Sequence, residues 1–448
     1  MLELPSLYLI TDRTLTNGRP LEDIVHDACE GGVRMVQLRE KDLPNRELYD
    51  LARTLRTITN QFGTKLLING RIDIALAAEA DGVHLPVNGV PIAVARKALN
   101  KGIIGASTHS LTQAEKAQDD GADFITFGPI FSTPSKEKYG PALGLTVLKE
   151  ITSKIKIPVF AIGGITPERA AECRAHGAHG VAVISAVMGA REVAVAVENF
   201  TSSPKAKERG FPTKTSRPAD GGQVGNDTIK FFKSEIGNRH SAMLSRLHIL
   251  TDTVIQSRYS HVDLAKIAIA GGANVIQYRE KSASTREMIE TAIAIQKLCA
   301  AAGVTFIVND RPDVALLSNA DGVHLGQDDL PLAAARTILG PTKIIGISTG
   351  NINEAREAQE GGADYIAFGN IFPTGSKIKI NAPRGLDQLR EFCKAVKLPV
   401  IAIGGITRKN AQEVMACGAH GVAVIGDVCR DENPRGAVEE LQRLLNPS

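Results

Sequence analysis

Three carboxylates stand close together in the second half of the chain. Asp310 belongs to Phe306-Ile-Val-Asn-Asp-Arg311, and Asp328 and Asp329 close the stretch Asp321-Gly-Val-His-Leu-Gly-Gln-Asp-Asp329. Each group follows a short apolar run, so the acids belong just past strand ends, which is where an α/β barrel keeps its chemistry. Carboxylates in that position suit a hard cation such as Mg2+, held by one or two acids and completed by substrate phosphates. The other use of such aspartates is to cap turns and helices. Asp329, just before Leu330-Pro331, could cap a helix, and Asp328 reads as the most solvated of the three. The first half carries a second copy of this stretch without the acids: Gly70 stands opposite Asp310, Asn88 opposite Asp328 and Gly89 opposite Asp329.

Cations accompany the acids. Gln277, Arg279 and Lys281 alternate along Gln277-Tyr-Arg-Glu-Lys281, so on an extended chain they share one side. One amide and two cations suit phosphate oxygens; a polar strand end open to solvent is the plainer alternative. The motif recurs as Gln37-Leu-Arg-Glu-Lys41. Phe368-Gly-Asn-Ile-Phe-Pro-Thr-Gly-Ser-Lys377 reads as a long loop able to close over substrate, with Lys377 either reaching a phosphate or solvated. The pairs Gly163-Gly164 and Gly404-Gly405 end a strand and let a phosphate approach backbone N–H groups. Ser107-Thr-His-Ser110 has the counterpart Ser348-Thr-Gly-Asn351, so His109 exists only in the first half. It is either a surface residue or an acid/base active near neutral pH. His84 and His324 lie inside apolar runs and read as structural.

The elements that must position these residues are repeated. Leu7-Tyr-Leu-Ile-Thr-Asp12 returns as Leu247-His-Ile-Leu-Thr-Asp252, and Pro158-Val-Phe-Ala-Ile-Gly-Gly-Ile165 as Pro399-Val-Ile-Ala-Ile-Gly-Gly-Ile406. The offset is 240 residues, becoming 241 near Gly340. A period that long is a duplicated domain, not a solenoid. In the first unit eight apolar runs (near 7–12, 33–38, 65–69, 81–85, 103–107, 124–128, 157–163 and 180–185) alternate with amphipathic stretches such as 48–60 and 167–176. Runs so continuously apolar are parallel strands buried on both faces. The fold class is therefore α/β: two tandem (β/α)8 barrels, at 1–200 and 241–448, joined over 201–240 by a Gly-, Pro- and Lys-rich stretch that reads as a flexible linker.

Composition removes several alternatives. The net charge is only +3, Trp is absent, and no basic stripe is visible, which argues against nucleic acid as a partner. No apolar run approaches ~18 residues, against a membrane span, and the N-terminal residues lack a secretory pattern. Six scattered cysteines without Cys-x-x-Cys spacing read as free thiols of a reducing, cytoplasmic compartment. Oligomeric state leaves no signature in the sequence.

Taken in order, Gln-x-Arg-Glu-Lys, Val-Asn-Asp-Arg, Gly-Val-His-Leu-Gly-Gln-Asp-Asp, Gly-x-Ile-Phe-Pro-Thr-x-Ser-Lys and Ile-Gly-Gly-Ile make the second unit, about Leu247 to Asn446, resemble thiamine phosphate synthase. The resemblance implies a barrel enzyme that joins hydroxymethylpyrimidine diphosphate to a thiazole phosphate. It implies that Gln277, Arg279, Lys281, Asn309 and Lys377 bind the pyrimidine diphosphate, with Arg279, Lys281 and Lys377 helping the diphosphate to leave. It further implies that Asp310 and Asp329 hold Mg2+, that Ser348 contacts the diphosphate, and that Thr374, Gly404 and the Ile425-Gly426 backbone hold the thiazole phosphate. The unit departs from the family pattern at Gly350, where His is frequent. It departs again at Ile425-Gly-Asp427, where a Ser is usual; the added charge of Asp427 should weaken, without abolishing, phosphate binding.

The first unit, about Leu7 to Phe200, resembles the thiazole tautomerase relatives of the synthase through Asn69-Gly-Arg-Ile-Asp-Ile-Ala-Leu76, Val83-His-Leu-Pro86 and Ser107-Thr-His-Ser110. That implies proton transfer on a carboxythiazole phosphate with His109 as acid/base, and Thr133, Gly163, Ile184 and Ser185 around the phosphate. Gln37, Arg39, Lys41 and Lys136 have no part in that reading. Three other readings stay open: a first barrel retired to a structural or regulatory role, a phosphate-binding regulator without catalysis, and a phosphosugar isomerase barrel.

Overall fold

A computed structural model of the chain describes residues 3–133, 141–201, 244–375 and 382–446. The first unit is a closed barrel of eight parallel strands: β1 (Leu7–Ile10), β2 (Met35–Leu38), β3 (Lys65–Asn69), β4 (Gly82–Leu85), β5 (Ile103–Thr108), β6 (Phe124–Phe127), β7 (Val159–Ile162) and β8 (Gly180–Val183). Closure is made by β1 against β8, with Leu9 opposite Val183. The second unit repeats it with β9 (Leu247–Thr251), β10 (Val275–Tyr278), β11 (Thr305–Asn309), β12 (Gly322–Leu325), β13 (Ile344–Thr349), β14 (Tyr365–Gly369), β15 (Val400–Ile403) and β16 (Gly421–Val424). There Ile249 lies opposite Val424 and shuts the ring. The expected linker, 201–240, lies outside the described residues apart from Thr201.

The strands are apolar throughout because alternate residues face the barrel interior while the others face the helices. In the first barrel Tyr8, Met35, Leu67, Phe124 and Phe160 fill the interior, with the Tyr8 and Phe124 rings edge to face at 5.4 Å. In the second, Leu250, Val275, Ile307, Tyr365 and Ile401 do the same. Local signals start and stop the helices around them. Ser284 and Glu287 form a reciprocal cap on the helix Thr285–Ala302, and Gly303, at φ +64°, ends it in the left-handed conformation. The expected helices at 48–60 and 167–176 are Asn45–Gln61 and Pro167–Ala175. All six cysteines are free thiols. Among the described residues no helix is long and apolar enough to cross a membrane.

Candidate functional site

Each motif identified above falls at the C-terminal end of its strand, so each barrel gathers its own set at one mouth. In the second barrel Gln277 is buried inside β10, while Arg279 and Lys281 follow it. The Arg279 guanidinium is paired with Asp252, buried at the end of β9. The Lys281 ammonium is paired with Asp310. Glu280 organises the turn between them: one carboxylate oxygen accepts from the N–H groups of Lys281 (2.7 Å), Ser282 (2.6 Å) and Ala283 (3.1 Å), and the other faces His261 Nε2 at 3.1 Å. Burial pushes this carboxyl up, but the donors from Ser282, Ala283 and His261 outweigh it and hold it down to about 2.

Asp310 follows Asn309 at the tip of β11 and adopts φ +67°, a left-handed conformation that costs an L-residue energy. Its own N–H donates to His324 O at 2.8 Å. Next door, Arg311 forks onto the fully buried Asp313, with bonds of 2.9 and 2.8 Å, and fixes the turn. Asp329 follows β12, 9% exposed, and accepts from the Gly326 N–H at 2.7 Å. It does not cap the following helix, whose N-cap is Pro331 with no side-chain bond. Asp328 is exposed. Two hard carboxylates at neighbouring strand tips match the ligand chemistry of Mg2+.

The first barrel keeps this backbone without the acids. Gly70 has the conformation of Asp310, φ +68°, with its N–H on His84 O. Pro86 takes the place of Gly326, so the N–H that braces Asp329 has no equivalent. A Cβ at Gly89 would fall 2.8 Å from Pro86 Cδ and 3.0 Å from Pro86 O. Gln37 Nε2 donates to Asn69 Oδ1 at 2.9 Å, and Arg39, unlike Arg279, has no carboxylate partner among the described residues. His109, exposed after β5, places Nδ1 2.6 Å from Gly128 O. A carbonyl only accepts, so Nδ1 carries the proton, and in the neutral ring Nε2 is the basic atom.

The glycine-bearing ends of the two mouths share one geometry. Gly163 and Gly404 have φ +103° and +96°, and a Cβ on Gly404 would come within 2.4 Å of Asn370 Cβ. Four-residue helices, Ser185–Met188 and Gly426–Cys429, begin directly after Ile184 and Ile425. Asp427 is turned away to Arg408, whose backbone N–H (3.1 Å) and Nε (3.0 Å) both donate to it. The extra acid is therefore held by Arg408, which it shares with Asp431 at 2.6 Å and Glu440 at 3.4 Å. Thr133 and Thr374 lie in the half-buried loops after β6 and β14; Lys136 and Lys377 lie outside the described residues.

Ser348 Oγ is held by His324 Nε2 at 2.9 Å, and His324 Nδ1 by Tyr365 OH at 2.9 Å. A histidine read as structural therefore sets the hydroxyl of a candidate ligand. Asp252, the partner of Arg279, was also not picked out as a site residue. Its signal was present: both units end their first strand in Thr-Asp.

Closed (β/α)8 barrels whose strand ends are lined with cations, glycines and short helix N-termini define a class of enzymes that handle phosphorylated small molecules. Within that class this chain belongs to the thiamine monophosphate synthase family, which it matches at residues 7–187 and again at 247–428. The thiamine-phosphate synthase of Chlorobium luteolum is 51% identical over 187 residues, 42% of this chain and 88% of its own. The putative thiamine-phosphate synthase of Geobacter sulfurreducens is 56% identical over 184 residues, 41% of this chain and 86% of its own. Among solved structures, thiamine phosphate pyrophosphorylase from Pyrococcus furiosus is 40% identical and covers 46% of this chain and 98% of its own, with a TM-score of 0.42. The aligned length in both sequence relatives is that of one barrel, and the chain is an enzyme of thiamine biosynthesis.

Proposed function

We propose that the second barrel is a thiamine phosphate synthase and that the first prepares its thiazole substrate. The observation that carries the division is the contrast between Asp310 and Asp329 in one mouth and Gly70, Pro86 and Gly89 in the other. In the synthase reaction the C–O bond between the pyrimidine methylene and its diphosphate breaks, and the diphosphate departs with the electron pair. The cation left behind is delocalised over the ring, and the thiazole nitrogen donates its lone pair to form the new C–N bond. No protein nucleophile is needed. The task of the chain is to hold both substrates in line and to stabilise charge growing on the leaving group. Arg279 and Lys281, held by the Glu280 turn, supply that charge, Ser348 donates from its seat on His324, and Gly404 with the Gly426 backbone holds the thiazole phosphate. Asp310 and Asp329 would hold Mg2+, which neutralises diphosphate oxygens when bound.

In the first barrel His109 presents Nε2 as base, and Gly163 with the Ile184–Ser185 helix start offers the same phosphate seat. That set suits proton transfer on a carboxythiazole phosphate, which needs no metal.

The test is formation of thiamine phosphate from the two substrates with Mg2+, comparing the intact chain with Asp310→Asn/Asp329→Asn. The rate should fall by about 100-fold or more. A variant as active as the parent would move synthesis out of the second barrel. For the first barrel, His109→Gln should remove turnover of the carboxythiazole tautomer; unchanged turnover would leave a non-catalytic copy.

A further inference from the structure

The second barrel lacks the histidine after β13, yet the space that residue would occupy is filled. Arg384, from the return of the loop after β14, reaches it: a Cβ on Gly350 would lie 3.1 Å from Arg384 Nη2. The guanidinium takes the same anchor as well. Arg384 Nε donates to Gly369 O at 3.1 Å, the counterpart of the Gly128 carbonyl that takes the proton on His109 Nδ1 in the first barrel. The backbones correspond, so this is not an accident of register. Arg384 and Gly385 donate to Asn370 O and Ile371 O, as Leu143 and Gly144 donate to Pro129 O and Ile130 O. The two units thus carry exchanged pairs, His109 with Leu143 and Gly350 with Arg384.

From this we infer that Arg384 is a phosphate-binding cation of the second mouth, and that its ligand is the diphosphate of the pyrimidine substrate; the inference rests on the synthase reading of that barrel. Arg384 has no carboxylate partner among the described residues. The nearest acid beside Gly350, Glu354, is engaged by the Gly350 N–H (2.5 Å) and the Asn351 amide (2.7 Å). The guanidinium rests over the Phe368 ring, 5.0 Å from its centre, and Phe368 is stacked on Phe392. One edge is therefore fixed by Gly369 O and one face by an aromatic ring. The remaining N–H groups form the forked donor that matches phosphate oxygens. Ser348 lies two residues before Gly350 on β13, and β13 pairs with β12, whose tip leads to Asp329. Arg384 therefore stands on the diphosphate side of the mouth. A guanidinium is a permanent cation, whereas an imidazole there would be a cation only below about pH 6.5.

The experiment is calorimetric titration of the full chain with inorganic pyrophosphate and Mg2+, for the parent, Arg384→Leu and Arg384→Gln. Leu is what the first barrel carries at this position, and Gln keeps a donor for Gly369 O while removing the charge. Both variants should bind pyrophosphate ~10–100-fold more weakly. In turnover they should raise KM for the pyrimidine diphosphate and leave KM for the thiazole phosphate within about twofold, as a charge confined to one substrate demands. The double variant Gly350→His/Arg384→Leu should recover affinity at about pH 6 and lose it at about pH 8. Pyrophosphate affinity unchanged in Arg384→Gln, or recovery equal at both pH values, would overturn the role. Failure of the parent to bind pyrophosphate would instead overturn the synthase reading, and this inference with it.

Discussion

Asp310 accepts a conformation that glycine adopts freely, and it does so at the tip of a strand where its carboxylate pairs with Lys281. Removing the side chain tests that compromise. Asp310→Gly relieves the left-handed backbone and loses the ion pair to the partly exposed Lys281, and glycine adds flexibility to the unfolded chain. These small effects oppose one another. We expect melting to shift by less than about 1 kcal/mol equivalent, while thiamine phosphate formation is lost; a collapse of stability would mean that the carboxylate is structural. In the first barrel Gly89→Asp alone should destabilise by about 1–3 kcal/mol, because its Cβ meets the Pro86 ring, and should bind no Mg2+. Adding Gly70→Asp and Pro86→Gly restores the donor set. Mg2+ titration in an Asp310→Asn/Asp329→Asn background would read the difference, and binding by the single variant would refute the role given to Pro86.

A buried strand histidine and a turn carboxylate make the second barrel acid-sensitive, in two windows that overlap between about pH 4.3 and 3. His248, in β9, is buried and lies near His324; burial first, and that neighbour second, pull its pKa down to about 3. A base held below its ordinary value near 6.5 stabilises the fold only above that value, and the contribution drains away as pH falls from about 6.5 towards 3. Glu280, held down to about 2, contributes above its ordinary value near 4.3 and is lost as pH falls from about 4.3 through 2. Thermal melts of the full chain between about pH 7 and 4 should therefore show a transition that His248→Phe makes less pH-dependent and Glu280→Gln leaves alone above about pH 5. The reverse pattern would show that the acid response has another source.

What could be read in advance divides at this scale too. The strands were legible because burial on both faces demands unbroken apolar runs, and the glycines because their positive φ has few other occupants. Partnerships between strands were not, since nothing in the local pattern pairs Arg279 with Asp252, or seats Ser348 on His324. Arg384 escaped notice because its meaning depends on a missing side chain 34 residues earlier, at Gly350. Asp427 was legible as an anomaly. Its pairing with Arg408 was not, because that contact joins a turn to a short helix 19 residues further on.

At the scale of the whole chain, two barrels of one family carry two differently equipped mouths, and each mouth is assembled from its own strands. The two proposed activities should therefore be separable by substitution in the intact protein. His109→Gln should remove tautomerisation and leave synthesis from ready-made thiazole phosphate within about twofold, and Asp310→Asn/Asp329→Asn should do the converse, as expected of sites with no shared groups. Assaying both reactions on both variants checks it; loss of both activities in either variant would show that the mouths are coupled.

Pro86 also sets how readily the first half could be given the acids of the second. With a proline in place of the N–H donor and a glycine at position 89 clearing its ring, an acid introduced there meets a steric penalty and finds no brace. An acid at position 70, whose added Cβ would make ordinary contact with the ring, would still lack its partner. For the proposed metal site each single substitution is unrewarded, and only a combination supplies both acids and the brace. The metal chemistry proposed for the second barrel is in this sense closed to the first by more than one residue at a time.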